Sequence, residues 1–206
     1  MNRVINQEII NQIQINYDKI PLAIFLLGTN GCGKSSLRNY LNLSDIQTNI
    51  DPDMLNRIFM TKYPHTYPIE SAKQALKMYN EALETKLNIC LESTLSGHGT
   101  MQRIITTKQL GYKTVAYYIG LNSVELNLQR IALRVENGGH NIKEQTVRRR
   151  YNESASNLCK IYSYLDELHI IDNSDLYFRL QYSIINQTEK HQYCNTPEPW
   201  TQFLFK

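Results

Sequence analysis

The sequence predicts an α/β fold: a five-stranded, mainly parallel sheet covered by helices on both faces, with a small arginine-rich lid. Three observations predict it. The apolar run Leu22 to Leu27 leads directly into Gly28-Thr29-Asn30-Gly31-Cys32-Gly33-Lys34-Ser35, which matches the phosphate-loop pattern G-x-x-x-x-G-K-[ST] between a strand and a helix. Apolar, strand-like runs then alternate with helical periodicities as far as residue 174. Each run ends in polar residues, and in a parallel sheet such endings converge on one mouth, outside the carboxyl ends of the strands, where ligands bind.

The elements follow in order. Val4, Ile5, Ile9, Ile13 and Tyr17 recur at spacings near four, which predicts an amphipathic helix within 1–20 before Pro21 opens the first strand. Leu37, Arg38, Tyr40 and Leu41 continue the phosphate loop as a helix whose positive N-terminus faces the anion. Ile46 to Ile50 is a second strand running into Asp51-Pro52-Asp53, and Met54, Leu55 and Ile58 begin a helix after it. Residues 69–87 read as a helix, Leu87 to Leu91 as a strand ending in Glu92-Ser93-Thr94, and residues near 98–110 as a helix stopped by Gly111. Lys113 to Ile119 is a strong strand, and Val124 to Val135 a helix ended by Asn137-Gly138-Gly139. A longer helix over 143–165 precedes the last parallel strand, His169 to Ile171, which ends at Asp172-Asn173-Ser174. In the C-terminal appendage, 175–206, residues 176–186 and 200–205 look like extra edge strands.

The 206 residues suit a single domain with a full core. A net charge of +3, with basic residues dispersed apart from Arg148-Arg149-Arg150, is too small to argue by itself for nucleic acid or an anionic membrane as partner, and neither is expected. No apolar run approaches the ~20 residues of a membrane span, and the N-terminus lacks a signal-peptide core, so a cytoplasmic protein is expected. Cys32, Cys90, Cys159 and Cys194 are too scattered for a zinc site or a disulfide framework. Cys32 reads as a small filler whose backbone serves the loop.

The loop implies a nucleoside triphosphate with Mg²⁺. Gly28, Asn30, Gly31, Cys32, Gly33, Ser35 and Ser36 would turn backbone and hydroxyl groups to the phosphates, Lys34 would reach the β and γ phosphates, and the Ser35 hydroxyl would ligate the metal. Transfer to a hydroxyl needs a carboxylate that orients or deprotonates the acceptor. Asp53 is the candidate base. Asp51 either faces metal or acceptor, or caps the following helix. Glu92 and Thr94 end an apolar strand, where an acid either faces the cleft or is held in a salt bridge or cap. Asp172 joins the same mouth by position. Arg130 and Arg134 share a helix face, and with Arg148-Arg149-Arg150 beyond a glycine hinge they suggest a mobile lid over 137–150 that brings guanidinium groups to the transferring phosphoryl. The donor machinery leaves the acceptor open: a small molecule, a nucleoside, NAD or a nucleic-acid end. A nucleotide-controlled binding switch is the reading from another class.

Taken together, GTNGCGKSSL at 28–37, NIDPD at 49–53, LESTLSG at 91–97, LGYKTVAYYIGL at 110–121, RIALRVENGGHNI at 130–142, RRRYNES at 148–154 and DNS at 172–174 resemble the zeta-toxin family of P-loop kinases, in its short bacterial branch. The resemblance implies an ATP-dependent small-molecule kinase, in the best-known members acting on the 3′-hydroxyl of UDP-N-acetylglucosamine, and a small helical antitoxin as partner. It assigns Asp53 as base, Lys34 as the phosphate lysine, Glu92 and Thr94 (with Asp51) to the acceptor, and Arg130, Arg134 and one of the triplet, taken as Arg149, to the triphosphate. Asp172-Asn173-Ser174 would lie near the adenine. Larger members carry an arginine where Ser96-Gly97-His98 stands here, and a long C-terminal extension, and both departures fall on acceptor recognition.

Overall fold

The computed structural model describes residues 20–139 and 141–205, the last three of these as backbone only. The expected N-terminal helix and His140 lie outside the described residues. Strand β1 (Leu22–Leu27) is buried along its whole length, because side chains on both of its faces meet covering elements. Ala23, Phe25 and Leu27 face a core shared with α2 (Pro52–Lys62), α3 (Tyr67–Glu84), α4 (His98–Gln109) and α6 (Glu144–Ile161). Leu22, Ile24 and Leu26 face a second core closed by α1 (Lys34–Arg38), α5 (Val124–Glu136) and partly buried Tyr40, Leu41, Leu43 and Ile46. This alternation is the period-two signature of a strand in the middle of a sheet.

The sheet runs β2 (Thr48–Ile50), β3 (Ile89–Ser93), β1, β4 (Lys113–Gly120), β5 (Glu167–Asp172), β6 (Arg179–Ile185) and β7 (Glu189–Gln192). The first five are mutually parallel, as expected, and their carboxyl ends share one side. Among the described residues the sheet has seven strands, not five: β6 and β7 extend it antiparallel beyond β5. β6 lies within the stretch expected as an edge strand. β7, Glu-Lys-His-Gln, is exposed at every position, so no apolar alternation marks it. Asn186 and Gln187 both take left-handed conformations between β6 and β7, with Thr188 N–H bonded to Ile185 O, so a tight hairpin turn forms without the Asn-Gly pair that usually signals one.

Two other expectations fail. Residues 200–205 form part of a 3₁₀ helix (Pro199–Phe205), not a strand: Pro199 has no N–H for a ladder, and Thr201 bonds back to Glu198 O through both its N–H and its hydroxyl. The helix after the phosphate loop stops at Arg38. Tyr40 and Leu41 lie in i→i+3 turns beyond it and lean into the second core, Tyr40 edge-on to Phe178. No helix among the described residues is long and apolar enough to cross a membrane.

Glu167, at the start of β5, pairs with Lys113 at the start of β4 and with His169 two residues on. Burial pushes its carboxyl up, but the hydrogen bonds and charges of His169 and Lys113 outweigh this and hold it at about 2, against an ordinary 4.5. A carboxyl depressed in the folded state contributes stability that is present above its unfolded value and is lost as pH falls toward the folded one. Denaturant unfolding of the wild type should therefore lose on the order of 2 kcal/mol between pH 4.5 and 2 that Glu167→Gln does not lose. Parallel pH profiles for the two proteins would show that the pairing contributes nothing.

Candidate active site

The loop between β1 and α1 is built by backbone conformations open to glycine. Gly28 has φ +136°, and a Cβ there would collide with the Ile119 carbonyl of β4. Gly33 has φ +106° and would collide with the Asn173 amide. The Cys32 N–H closes the turn on Thr29 O at 3.1 Å. Cys32 itself is buried, and that burial pushes its thiol up, in keeping with a filler. Lys34 lies across the loop, its Nζ donating to Gly28 O at 2.7 Å and Thr29 O at 3.3 Å.

The acids at the strand ends have separate fates. Glu92, at the end of β3, is 4% exposed, accepts from the Ser35 hydroxyl (Oγ–Oε2 3.1 Å), and pairs with Arg38 at 3.4 Å. Burial, reinforced by the charge of Asp51, pushes its carboxyl up, and Lys34, Ser35 and Arg38 oppose the shift. Glu92 thus stands directly beside the loop serine while it also lines the space on the far side. Asp51 is the N-cap of α2: one oxygen accepts from the Asp53 and Met54 amides at 2.9 and 3.1 Å. Asp53, in the first turn of that helix, keeps a largely exposed carboxylate 3.6 Å from the Arg134 guanidinium. Thr94 shares a hydrogen bond with Ser96 at 2.8 Å.

Asp172 does not join them. It is fully buried, and its oxygens accept from Ser174, Arg179 and Trp200, so it ties down the C-terminal segment instead of facing the cleft. A carboxylate buried that deeply must be fully partnered, and two of its partners come from a C-terminal segment whose packing no local sequence pattern specifies.

The arginine triplet is divided by helical geometry, each residue about 100° from the next. Arg148 pairs with Glu125 and Glu144, and Arg149 points out to Glu153. Arg150 is the one turned inward, donating to the buried Asn30 side chain at 2.8 Å. Burial and the adjacent Arg149 pull its guanidinium below the ordinary value, and Asp53 pulls the other way. Arg149, expected at the triphosphate, thus faces away from the cleft, and Arg150 is the member of the triplet that the fold turns into it. A signal for it existed, since Arg150 is three residues after Val147 and four before Ser154, on the buried stripe of α6. Arg130, on α5, donates to Asn173 O at 2.7 Å.

Two cavities meet here. One of about 280 Å³ lies over the loop, lined by Gly31, Gly33, Ser35 and Ser36 with Arg130 and Arg134. The other, of about 570 Å³, is lined by Asp51, Asn56, Thr94, Asn141, Lys143 and Arg150, among others. Asn30, Lys34, Asp53 and Glu92 line both. A third space opens beyond Arg130, at Ser174, Asp175, Leu176 and Tyr177. Asn56, Asn127, Asn141 and Lys143 are not foreseen from the sequence; Asn127 holds Asn30 O from a fully buried position at 2.7 Å. Isolated amides carry no periodicity and no charge pattern, so nothing in the sequence marks Asn56 and Asn127, while Asn141 and Lys143 fall within the segment expected as a lid.

An uncharacterized protein of Haemophilus influenzae is 40% identical over 129 residues, which span 63% of this chain and 91% of that protein. Among solved structures, the PezAT chromosomal toxin–antitoxin system of Streptococcus pneumoniae superposes with a TM-score of 0.61 at 18% identity, over 82% of this chain and 72% of the other. A chain of the AvrRxo1-ORF1:AvrRxo1-ORF2 complex with sulphate ions superposes with a TM-score of 0.71 at 15% identity, over 91% of this chain, which spans 64% of that longer one. At such identities these two structures speak for the fold, that of the P-loop kinases. The sequence itself carries the closer kinship: the model of the Zeta toxin family matches residues 6–180, which hold the loop, both cavities and the arginines around them, so the chain belongs to that family.

Proposed function

We propose that this protein is an ATP-dependent kinase that transfers the γ-phosphate to a hydroxyl of a small molecule held in the larger cavity. The observation that carries the reading is the junction of the two cavities at Asn30, Lys34, Asp53 and Glu92. A donor held over the loop and an acceptor in the larger space would meet beside a carboxylate, an ammonium group and two arginines. Asp53 takes the proton of the acceptor hydroxyl. The acceptor oxygen then bonds to the γ-phosphorus while the bond from that phosphorus to the β–γ bridging oxygen breaks, leaving ADP. Lys34 and Arg134 balance the charge on the moving phosphoryl group. Arg130 carries the donor toward the space at Leu176 and Tyr177, which suits its nucleoside end.

The Ser35 hydroxyl and the Glu92 carboxylate form an oxygen donor set suited to Mg²⁺, and two acids, Glu92 and Asp51, raise the local negative charge that a divalent cation would offset. When bound, Mg²⁺ would neutralise phosphate charge. Segment 137–150, which brings Asn141, Lys143 and Arg150 to the larger cavity, would close over the acceptor as a lid.

UDP-N-acetylglucosamine, with its 3′-hydroxyl as acceptor, is the first candidate, on the strength of the family. The family, together with the likeness to a structure from the PezAT toxin–antitoxin system, also favours a toxin restrained by a small helical antitoxin. Incubation with γ-labelled ATP and UDP-N-acetylglucosamine, alongside an unfractionated metabolite extract, tests this directly. Label on the sugar nucleotide supports the full reading, label on another metabolite replaces the acceptor, and label on none overturns the kinase.

Asp53→Asn should lower transfer about 100-fold or more while Mg²⁺-ATP binding, followed by calorimetry, stays within a few-fold. Lys34→Ala should weaken that binding and stop transfer. Arg150→Ala should lower kcat/KM at least tenfold, and Arg149→Ala, which removes an exposed ion pair, should leave it within twofold. Equal effects of the two arginine substitutions would show that the inward position of Arg150 has no bearing on transfer.

A further inference from the structure

Asn173 touches both halves of the donor site. It is fully buried at the end of β5. Its side-chain amide donates to Cys32 O in the phosphate loop at 2.7 Å, its carbonyl accepts from Arg130 at 2.7 Å, and its N–H donates to Gly120 O at 3.1 Å. In a planar trans peptide the C=O and the following N–H point in opposite directions. Holding Cys32 O toward Asn173 therefore turns the Gly33 N–H away from Asn173, and Gly33 is among the residues that line the cavity over the loop.

Asn173 is in turn held from the C-terminal side. The adjacent Asp172 accepts from Trp200 Nε1 at 3.0 Å and from Arg179 at 2.9 Å, and Arg179 also pairs with Glu198 at 2.6 Å. The Trp200 ring lies against Gly120, where any Cβ would collide with it, and Gly120 O is the acceptor for Asn173 N–H. A chain of contacts thus runs from the 3₁₀ helix, through Asp172 and Gly120, to Asn173 and the loop.

We propose that Asn173 is a positioning residue that orients the Cys32–Gly33 peptide and Arg130 together for the donor phosphates, and that residues 179–201 are its clamp. The inference rests on the donor half of the kinase reading. The segment after β5 is then part of the nucleotide site's scaffold, although the described side chains of 179–201 line neither the loop cavity nor the larger one.

Two substitutions test it. Asn173→Asp keeps the shape but sets an acceptor against Cys32 O. Trp200→Phe keeps an aromatic side chain, removes the donor to Asp172 and withdraws the outer ring carbons that pack on Gly120. Mg²⁺-ADP is titrated into each full-length protein by calorimetry, and the Gly33 amide resonance is followed to saturation. Asn173→Asp should weaken binding about tenfold or more and reduce the Gly33 shift reached at saturation, since a buried carbonyl loses its donor. Trp200→Phe should weaken binding two- to fivefold with a smaller loss of the same shift. A role in stability alone would lower the melting temperature and leave the saturated Gly33 shift at its wild-type value, which overturns the proposal. Should Asn173→Asp fail to fold, Trp200→Phe decides by the same criterion. Wild-type protein that binds no Mg²⁺-ADP removes the donor site and this inference with it, whereas wild-type binding matched by both variants removes the inference alone.

Discussion

A carboxylate at the buried end of a parallel strand cannot stay without a partner, and the pairing each one finds here decides what the mouth of the sheet presents to a ligand. Glu92 finds Ser35 and Arg38 and so becomes part of the phosphate loop's surroundings. Asp51 turns one oxygen to the first amides of α2 and fixes where that helix starts. Asp172 is taken by Trp200, Arg179 and Ser174 and anchors the chain's last segment. Asp53 alone of the four stands on a helix turn with much of its carboxylate open, 3.6 Å from the Arg134 guanidinium.

The same division by pairing runs through the cations. Arg148 and Arg149 are matched to glutamates on exposed surfaces, where such pairs contribute little to stability. Arg130, Arg134 and Arg150 instead lie against Asn173, Asp53 and Asn30, groups that line or support the two cavities. Positive charge is thereby concentrated where phosphate would sit, in a chain whose net charge is only +3. The loop, the acids and the inward arginines meet because β1, β3, β4 and β5 end on one side, each followed by a turn that carries polar groups across the mouth.

Amides hold these parts in register. Asn30 is gripped by Asn127 and Arg150, and Asn173 bridges the loop and Arg130. Neutral donors of this kind fix geometry without adding charge, which leaves the field in the cleft to its charged side chains, the acids together with Lys34 and the arginines.

What the sequence determined by itself is the part carried by local and periodic signals. Leu22 to Ser35 specify a strand and its phosphate loop because an apolar run and glycine conformations act over a few residues, and the runs at 113–119 and 124–135 specify a strand and a helix through signals of the same local kind. Asp51, Asp53, Glu92 and Thr94 were legible as members of one cleft from the rule that parallel strands end on one side, Lys34 from the loop motif and Arg134 from the helix face it shares with Arg130. Only the tertiary structure decided that Asp172 turns away and that 200–205 coils into a 3₁₀ helix beside Gly120. Each of these depends on a partner distant in the chain, and the free energy of burying a charge or an amide belongs to the pair. No local pattern can show it until the fold has brought the pair together.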